Sequence, residues 1–150
     1  MHIRRAVANE AALLTELSLR SKAVWGYDEE FIARCRAELT LTPSFITQAA
    51  VYVAEDQERV VGFYALTRHD QGASLDSLFI DPPALRRGYG KALWQHAVKI
   101  AAQWGARYII LDADPQAEPF YLAMGAKRVG EAPSGSIPGR ALPQLRFDLP

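Results

Sequence analysis

Cysteine is all but missing from this chain, with Cys35 the only one present. A lone thiol excludes an intramolecular disulfide and any metal cage built from cysteines, and no metal is expected. Long apolar runs are missing too: nothing approaches the about 18 consecutive apolar residues of a membrane span. The N-terminal Met1-His-Ile-Arg-Arg-Ala6 lacks the apolar stretch of a signal peptide, so a cytoplasmic location is expected. Nor does one sign of charge dominate, because Lys+Arg and Asp+Glu stand at 17 each, for a formal net charge of +0. That balance argues against a nucleic-acid or membrane-surface binder working by bulk electrostatics, and leaves Arg86-Arg87 as a local basic patch. Repeats, low-complexity tracts and linkers are absent as well. What remains is the profile of a soluble globular protein, with 49% apolar and 23% charged residues over 150 positions. A single domain spanning 1–150 is expected.

The elements follow from spacing. Residues 2–7 suit a short strand. Asn9 is a candidate N-cap for a helix presenting Leu13, Leu14, Leu17 and Val24 on one face, interrupted at Gly26. Asp28 is placed to cap a second helix, with Phe31, Ile32, Cys35 and Leu39 as its apolar positions and Pro43 as its stop. Residues 50–55, 59–66 and 73–80 are rich in β-branched and aromatic residues and separated by polar turns, which predicts three consecutive antiparallel strands. A strong amphipathic helix follows, carrying Leu93, Trp94, Ala97, Val98, Ala101 and Trp104, with Gly105 just past its end. Residues 108–112 form a short apolar strand. One connecting helix between strands implies that 73–80 and 108–112 run parallel. A further helix is expected over about 115–124, then strands near 126–131 and 144–149 around a loop rich in Pro, Gly and Ser.

The stretch Leu78-Phe-Ile-Asp-Pro-Pro-Ala-Leu-Arg-Arg-Gly-Tyr-Gly-Lys91 draws most attention. It reads as a strand, a turn, a loop with two arginines and two glycines, and a helix start. Such a loop brings backbone N–H groups and the positive end of a helix dipole to one point, which suits an anion such as a phosphate. Gly88 and Gly90 have no Cβ to block a close approach, although a tight turn without a ligand also explains them.

The order β-α-α-β-β-β-α-β-α-β-β with this loop after the fourth strand resembles the GNAT family, the Gcn5-related N-acetyltransferases. Two motifs carry the resemblance. Leu85-Arg-Arg-Gly-Tyr-Gly90 is similar to the family's [Gln/Arg]-x-x-Gly-x-[Gly/Ala], with Leu85 departing at the first position. Asp114-Pro-Gln-Ala-Glu-Pro-Phe-Tyr121 is similar to Asn-x-x-Ala-x-x-[Phe/Leu]-Tyr, with Asp114 in place of Asn.

The resemblance implies an α+β fold whose central sheet is mixed, mostly antiparallel with one parallel strand pair, and about four helices. It implies acetyl-CoA as co-substrate. The pyrophosphate would lie on Arg86, Arg87, Gly88, Tyr89, Gly90 and Lys91. The pantetheine arm would run beside Leu78, Phe79 and Ile80, with Asp114 and Tyr121 near the thioester. Transfer would go directly to a primary amine in a ternary complex, which suits a chain with no evident activated nucleophile.

In such proteins Tyr121 would serve as the general acid that protonates the leaving thiolate; a core tyrosine is the plainer reading. Asp76 is a carboxylate within an otherwise apolar strand, costly to bury without a purpose. It is the best candidate for a base or an ammonium contact, against a merely solvated strand face. By the rule of alternation it shares a face with Ser74, Leu78 and Ile80. The family walls its acceptor pocket with the first two helices and the last loop, which points to Trp25, Tyr27 and Arg140 as acceptor contacts. Lys22 reads as surface and His96 as lying on the polar side of its helix. The expected acceptor is a small-molecule amine. A protein Nα-terminus or lysine, a non-catalytic acyl-CoA-binding module and a homodimer stay open.

Overall fold

The computed structural model describes residues 1–150. Strand β1 (His2–Arg5) leads through a 3-10 turn into helices α1 (Ala11–Ala23), α2 (Glu29–Leu39) and α3 (Pro43–Gln48). A meander follows of β2 (Ala50–Asp56), β3 (Arg59–His69) and β4 (Gly72–Ile80). Then come α4 (Tyr89–Gln103), β5 (Tyr108–Asp112), α5 (Glu118–Ala123), β6 (Lys127–Pro133) and β7 (Ala141–Asp148). The strands make one seven-stranded sheet in the order β1-β2-β3-β4-β5-β7-β6. Every neighbouring pair is antiparallel except β4 with β5, the parallel pair that the connecting helix predicts.

Alternation along the central strands feeds two separate cores. Val51 and Val53 of β2 and Phe63 and Ala65 of β3 pack with Leu14 and Leu17 of α1 and Ile46 of α3. The intervening Tyr64 and Leu66 face the other way, onto Leu93, Trp94 and Ala97 of α4 and Tyr121 of α5. The sheet is therefore a partition between two helical layers, and both of its faces are apolar.

Several local readings need correction. Asn9 caps nothing; instead the Glu10 side chain accepts the Val7 N–H and holds Arg4, so the chain enters α1 through an ion pair. Within α1 Leu14 and Leu17 are buried, but Leu13 and, just past the helix end, Val24 are exposed, because a neighbouring face packs on the sheet. Asp28 does cap α2, accepting the Phe31 N–H at 2.8 Å. Pro43, which reads as a stop, is also a start: Thr42 accepts the Phe45 N–H and Pro43 opens α3, a helix not foreseen. The expected helix at 115–124 begins as a turn and is helical only from Glu118.

Two irregularities in β4 shape the site. Ala65 faces Ser77 and Leu66 faces Leu75, so Asp76 is the extra residue of a bulge. The bulge resets the alternation. Ala73, Leu75, Leu78 and Ile80 join the core under α4, while Phe79 packs on the opposite core. Asp76 therefore does not share a face with Leu78 and Ile80; it lies on the side of α1 and α2, bonded to Thr67. The second irregularity is that β4 and β5 pair only at Ala73↔Ile109 and Ser74↔Ile110. Beyond Ser74 the two strands part, and the β5 side of β4 is left without a strand partner.

Candidate active site

The loop between β4 and α4 leaves a run of backbone donors free, as an anion site would require. Arg86 and Gly88 both take positive φ, at 64° and 83°. No backbone N–H from Arg86 to Lys91 donates to any group of the chain, whereas Leu85 N–H bonds the Pro82 carbonyl and Ala92 N–H the Gly88 carbonyl. These donors lie just before and within the first turn of α4, whose dipole adds partial positive charge.

The two glycines differ. Gly88 needs its left-handed conformation, and a Cβ there would meet nothing within 4 Å. Gly90 lies against Phe120, whose ring would be 3.4 Å from an added Cβ, an ordinary contact distance, so the packing there does not demand a glycine. The Tyr89 side chain turns away from the loop: its ring is buried and its hydroxyl donates to Asp56. Only its backbone belongs to the run of free donors.

Where β4 and β5 part, a cavity of about 310 Å³ opens. It is continuous with the loop through Leu85 and Gly90 and bounded by β4 from Leu75 to Ile80. Tyr121 forms part of its wall, 7% exposed and set edge-on against Trp94. Its hydroxyl has no partner within the chain, and no buried side-chain polar atom is left unpaired, so this oxygen opens onto the cavity. Burial pushes its phenol well above the ordinary tyrosine value.

Asp76 meets the cavity from the other side. Its carboxylate accepts the Thr67 hydroxyl at 2.8 Å. The residue is exposed at the bulge, yet the groups around it desolvate the carboxyl and push its pKa up; Thr67, His69 and Ser74 oppose that shift only in part. A carboxylate with a raised pKa is a better proton acceptor than an ordinary one.

The third wall comes from α1, α2 and the loop before β7. Asp114 accepts the Gln116 N–H at 2.9 Å, which fixes the turn into α5. It also accepts the Tyr27 hydroxyl at 3.0 Å and lies 3.3 Å from Lys22 Nζ and 3.5 Å from Arg140 Nη2. Burial works against its ionisation, but the Gln116 N–H, Lys22 and the Tyr27 hydroxyl outweigh it and hold the carboxyl below the usual range. Two cations and two hydrogen-bond donors around one residue explain an aspartate here in place of asparagine. Trp25 stands at the cavity mouth, 41% exposed, with its carbonyl accepting from Gln116 Nε2. Tyr27 lies behind the wall, stacked on Phe31.

A strand-to-helix loop of free N–H groups, a splayed parallel pair and a cavity with an unbonded tyrosine hydroxyl thus form one continuous site. The model of the acetyltransferase (GNAT) family matches residues 14–126, most of the chain. The chain belongs to the GNAT family of acetyltransferases.

Among curated GNAT relatives, peptidyl-lysine N-acetyltransferase YjaB of Salmonella typhimurium is 33% identical over 100% of this chain and 99% of its own length. The protein of the same name from Escherichia coli is 31% identical, covering 97% and 94% respectively. Among solved structures, the PaiA N-acetyltransferase of Thermoplasma acidophilum in complex with coenzyme A superposes with a TM-score of 0.82 over 98% of both chains, at 21% identity. The GNAT N-acetyltransferase assignment thus joins the fold read from the sequence.

Two residues of this GNAT site escaped the sequence. Lys22 is not surface but 14% exposed at its side chain and paired with Asp114, a partner 92 positions away. Thr67, the partner of Asp76, becomes a neighbour only through the bulge. His96 is another departure: it is half-buried, with Nδ1 2.7 Å from the Tyr64 hydroxyl, and stands outside the cavity.

Proposed function

We propose that the protein transfers the acetyl group of acetyl-CoA to the primary amine of a small molecule, by direct attack within a ternary complex. The observation that carries this reading is the run of unbonded N–H groups from Arg86 to Lys91, at the head of a cavity that ends at Tyr121. The N–H groups receive the pyrophosphate. The open edge of β4 from Leu78 to Ile80 offers main-chain donors and acceptors to the pantetheine arm. Asp76 takes the proton of the incoming ammonium. As the C–N bond forms and the C–S bond breaks, Tyr121 gives its proton to the departing thiolate. Trp25 and Arg140 bound the acceptor end, and Tyr27 fixes Arg140 from behind.

A small acceptor is favoured by a roof over that end. Ser136 donates to Glu38 of α2, and Arg140 donates to Tyr27 at 2.7 Å, so the last loop spans the acceptor mouth. A second reading, a protein lysine, is favoured by the name of the YjaB relatives, peptidyl-lysine N-acetyltransferase. A lysine side chain is itself an alkyl amine and fits the same chemistry.

The test is acetyl-CoA-dependent CoA release with alkyl amines and lysine peptides. For whichever acceptor is used, Tyr121→Phe should lower kcat by about 100-fold or more while acetyl-CoA affinity holds. Unchanged kcat removes Tyr121 as the acid. Turnover of peptides alone replaces the small-molecule reading with the second.

A further inference from the structure

Lys22 and Arg140 are more than a counterbalance to Asp114. Both line the cavity, with side chains only 14% and 18% exposed, and both converge on this one carboxylate. Two cations against one anion leave a positive charge without a partner at the cavity wall. The other acids of the cavity do not supply it. Glu38 is taken by Ser136, Asp76 by Thr67 and Asp112 by Gln144, and neither cation forms an ion pair with any of them.

Donor capacity points the same way. Arg140 uses only Nη2, toward Tyr27 and Asp114; its Nε and Nη1 donate to nothing in the chain. Lys22 Nζ makes a single hydrogen bond. Since no buried side-chain polar atom lacks a partner, the unused nitrogens of Arg140 are open to solvent. The positions are nevertheless firmly held. The stacked rings of Tyr27 and Phe31 lie 5.2 and 4.9 Å from the Arg140 guanidinium carbon, and 5.8 and 6.0 Å from Lys22 Nζ. Cation–π contact fixes a cation without consuming its N–H donors.

We infer that Lys22 and Arg140 form an anion-binding subsite of the acceptor pocket, and that the natural acceptor is an amine carrying a carboxylate. This deepens the acetyl-transfer reading, on which it rests for the amine. Arg140 offers the planar fork, Lys22 the second charge, and Asp114 with the Tyr27 hydroxyl holds both facing inward. The carboxylate belongs to a free amino-acid-like amine or to an acidic residue beside a lysine.

The experiment measures equilibrium binding to the CoA-bound protein and, in parallel, CoA release from acetyl-CoA. Its probes are 5-aminovalerate against 1-aminopentane, and a blocked Lys-Asp dipeptide against Lys-Asn. The carboxylated member of one pair should bind tighter by about tenfold or more. Preference in the first pair assigns a free amino acid, and preference in the second an acidic peptide. Arg140→Gln and Lys22→Met should each collapse that preference toward unity; Arg140→Lys, which keeps the charge and loses the fork, should retain part of it. Equal binding within both pairs overturns the subsite, even if every amine is acetylated. A carboxylate preference in binding, with no CoA release from any probe, keeps the subsite and overturns acetyl transfer instead.

Discussion

At the residue scale, Asp76 is the position where stability and chemistry pull apart. Its folded-state pKa lies above the ordinary carboxylate value of about 3.9 because its surroundings disfavour the charge. A base must be unprotonated, so activity should rise with pH through that shifted value and hold above it. Asp76→Asn should lower kcat/KM and abolish this acid limb, as read in a pH–rate profile. The same shift has an opposite sign for folding. A carboxyl that binds its proton more tightly when folded loses stability as pH rises from the unfolded pKa through the folded one. Asp76→Asn should therefore raise Tm at pH 7 while it lowers turnover. A lowered Tm would mean that the Thr67 bond outweighs the desolvation.

At the element scale, the β4–loop–α4 unit distinguishes two glycines that look alike on paper. Gly88→Ala forces an L-residue into φ 83° and should destabilise the protein by about 1–2 kcal/mol, with weaker acetyl-CoA binding as the loop distorts. Gly90→Ala adds a methyl at ordinary contact distance from Phe120 and should leave both quantities near wild type. Calorimetry of acetyl-CoA binding and denaturant melts would separate the two. Much of this unit was legible in the sequence, because a strand, a glycine loop and a 3.6-residue period are local patterns. The bulge was not. Its existence depends on how Ala65 and Leu66 register against β4, and no local pattern around Asp76 announces it. The α3 helix was hidden for another reason, since Pro43 ends one helical pattern and begins another within a few residues. Lys22 was misplaced because an ion pair spanning 92 positions leaves no trace in spacing.

At the scale of the whole molecule, acid stability should follow carboxylates tied to opposite ends of α1. The Arg4 guanidinium bonded to Glu10 pulls that carboxyl below its usual value, and Asp114 is held low by its own donors. A depressed carboxyl contributes stability that is fully present above the unfolded pKa of about 4 and is lost as pH falls through the folded value. Tm should thus stay level from pH 7 to about 5 and drop below about 4. The drop should shrink in Glu10→Gln, measured by thermal denaturation across that range.

The parting of β4 from β5 carries one more consequence. An unpaired strand flank is the feature by which soluble proteins recruit stray chains into edge-to-edge association, and natural sheets usually blunt or cover it. On the proposed reading this flank stays open to receive the acetyl donor, which would then stand in for the missing strand. Saturating acetyl-CoA should therefore lower the tendency of the protein to self-associate, as read by light scattering on heating.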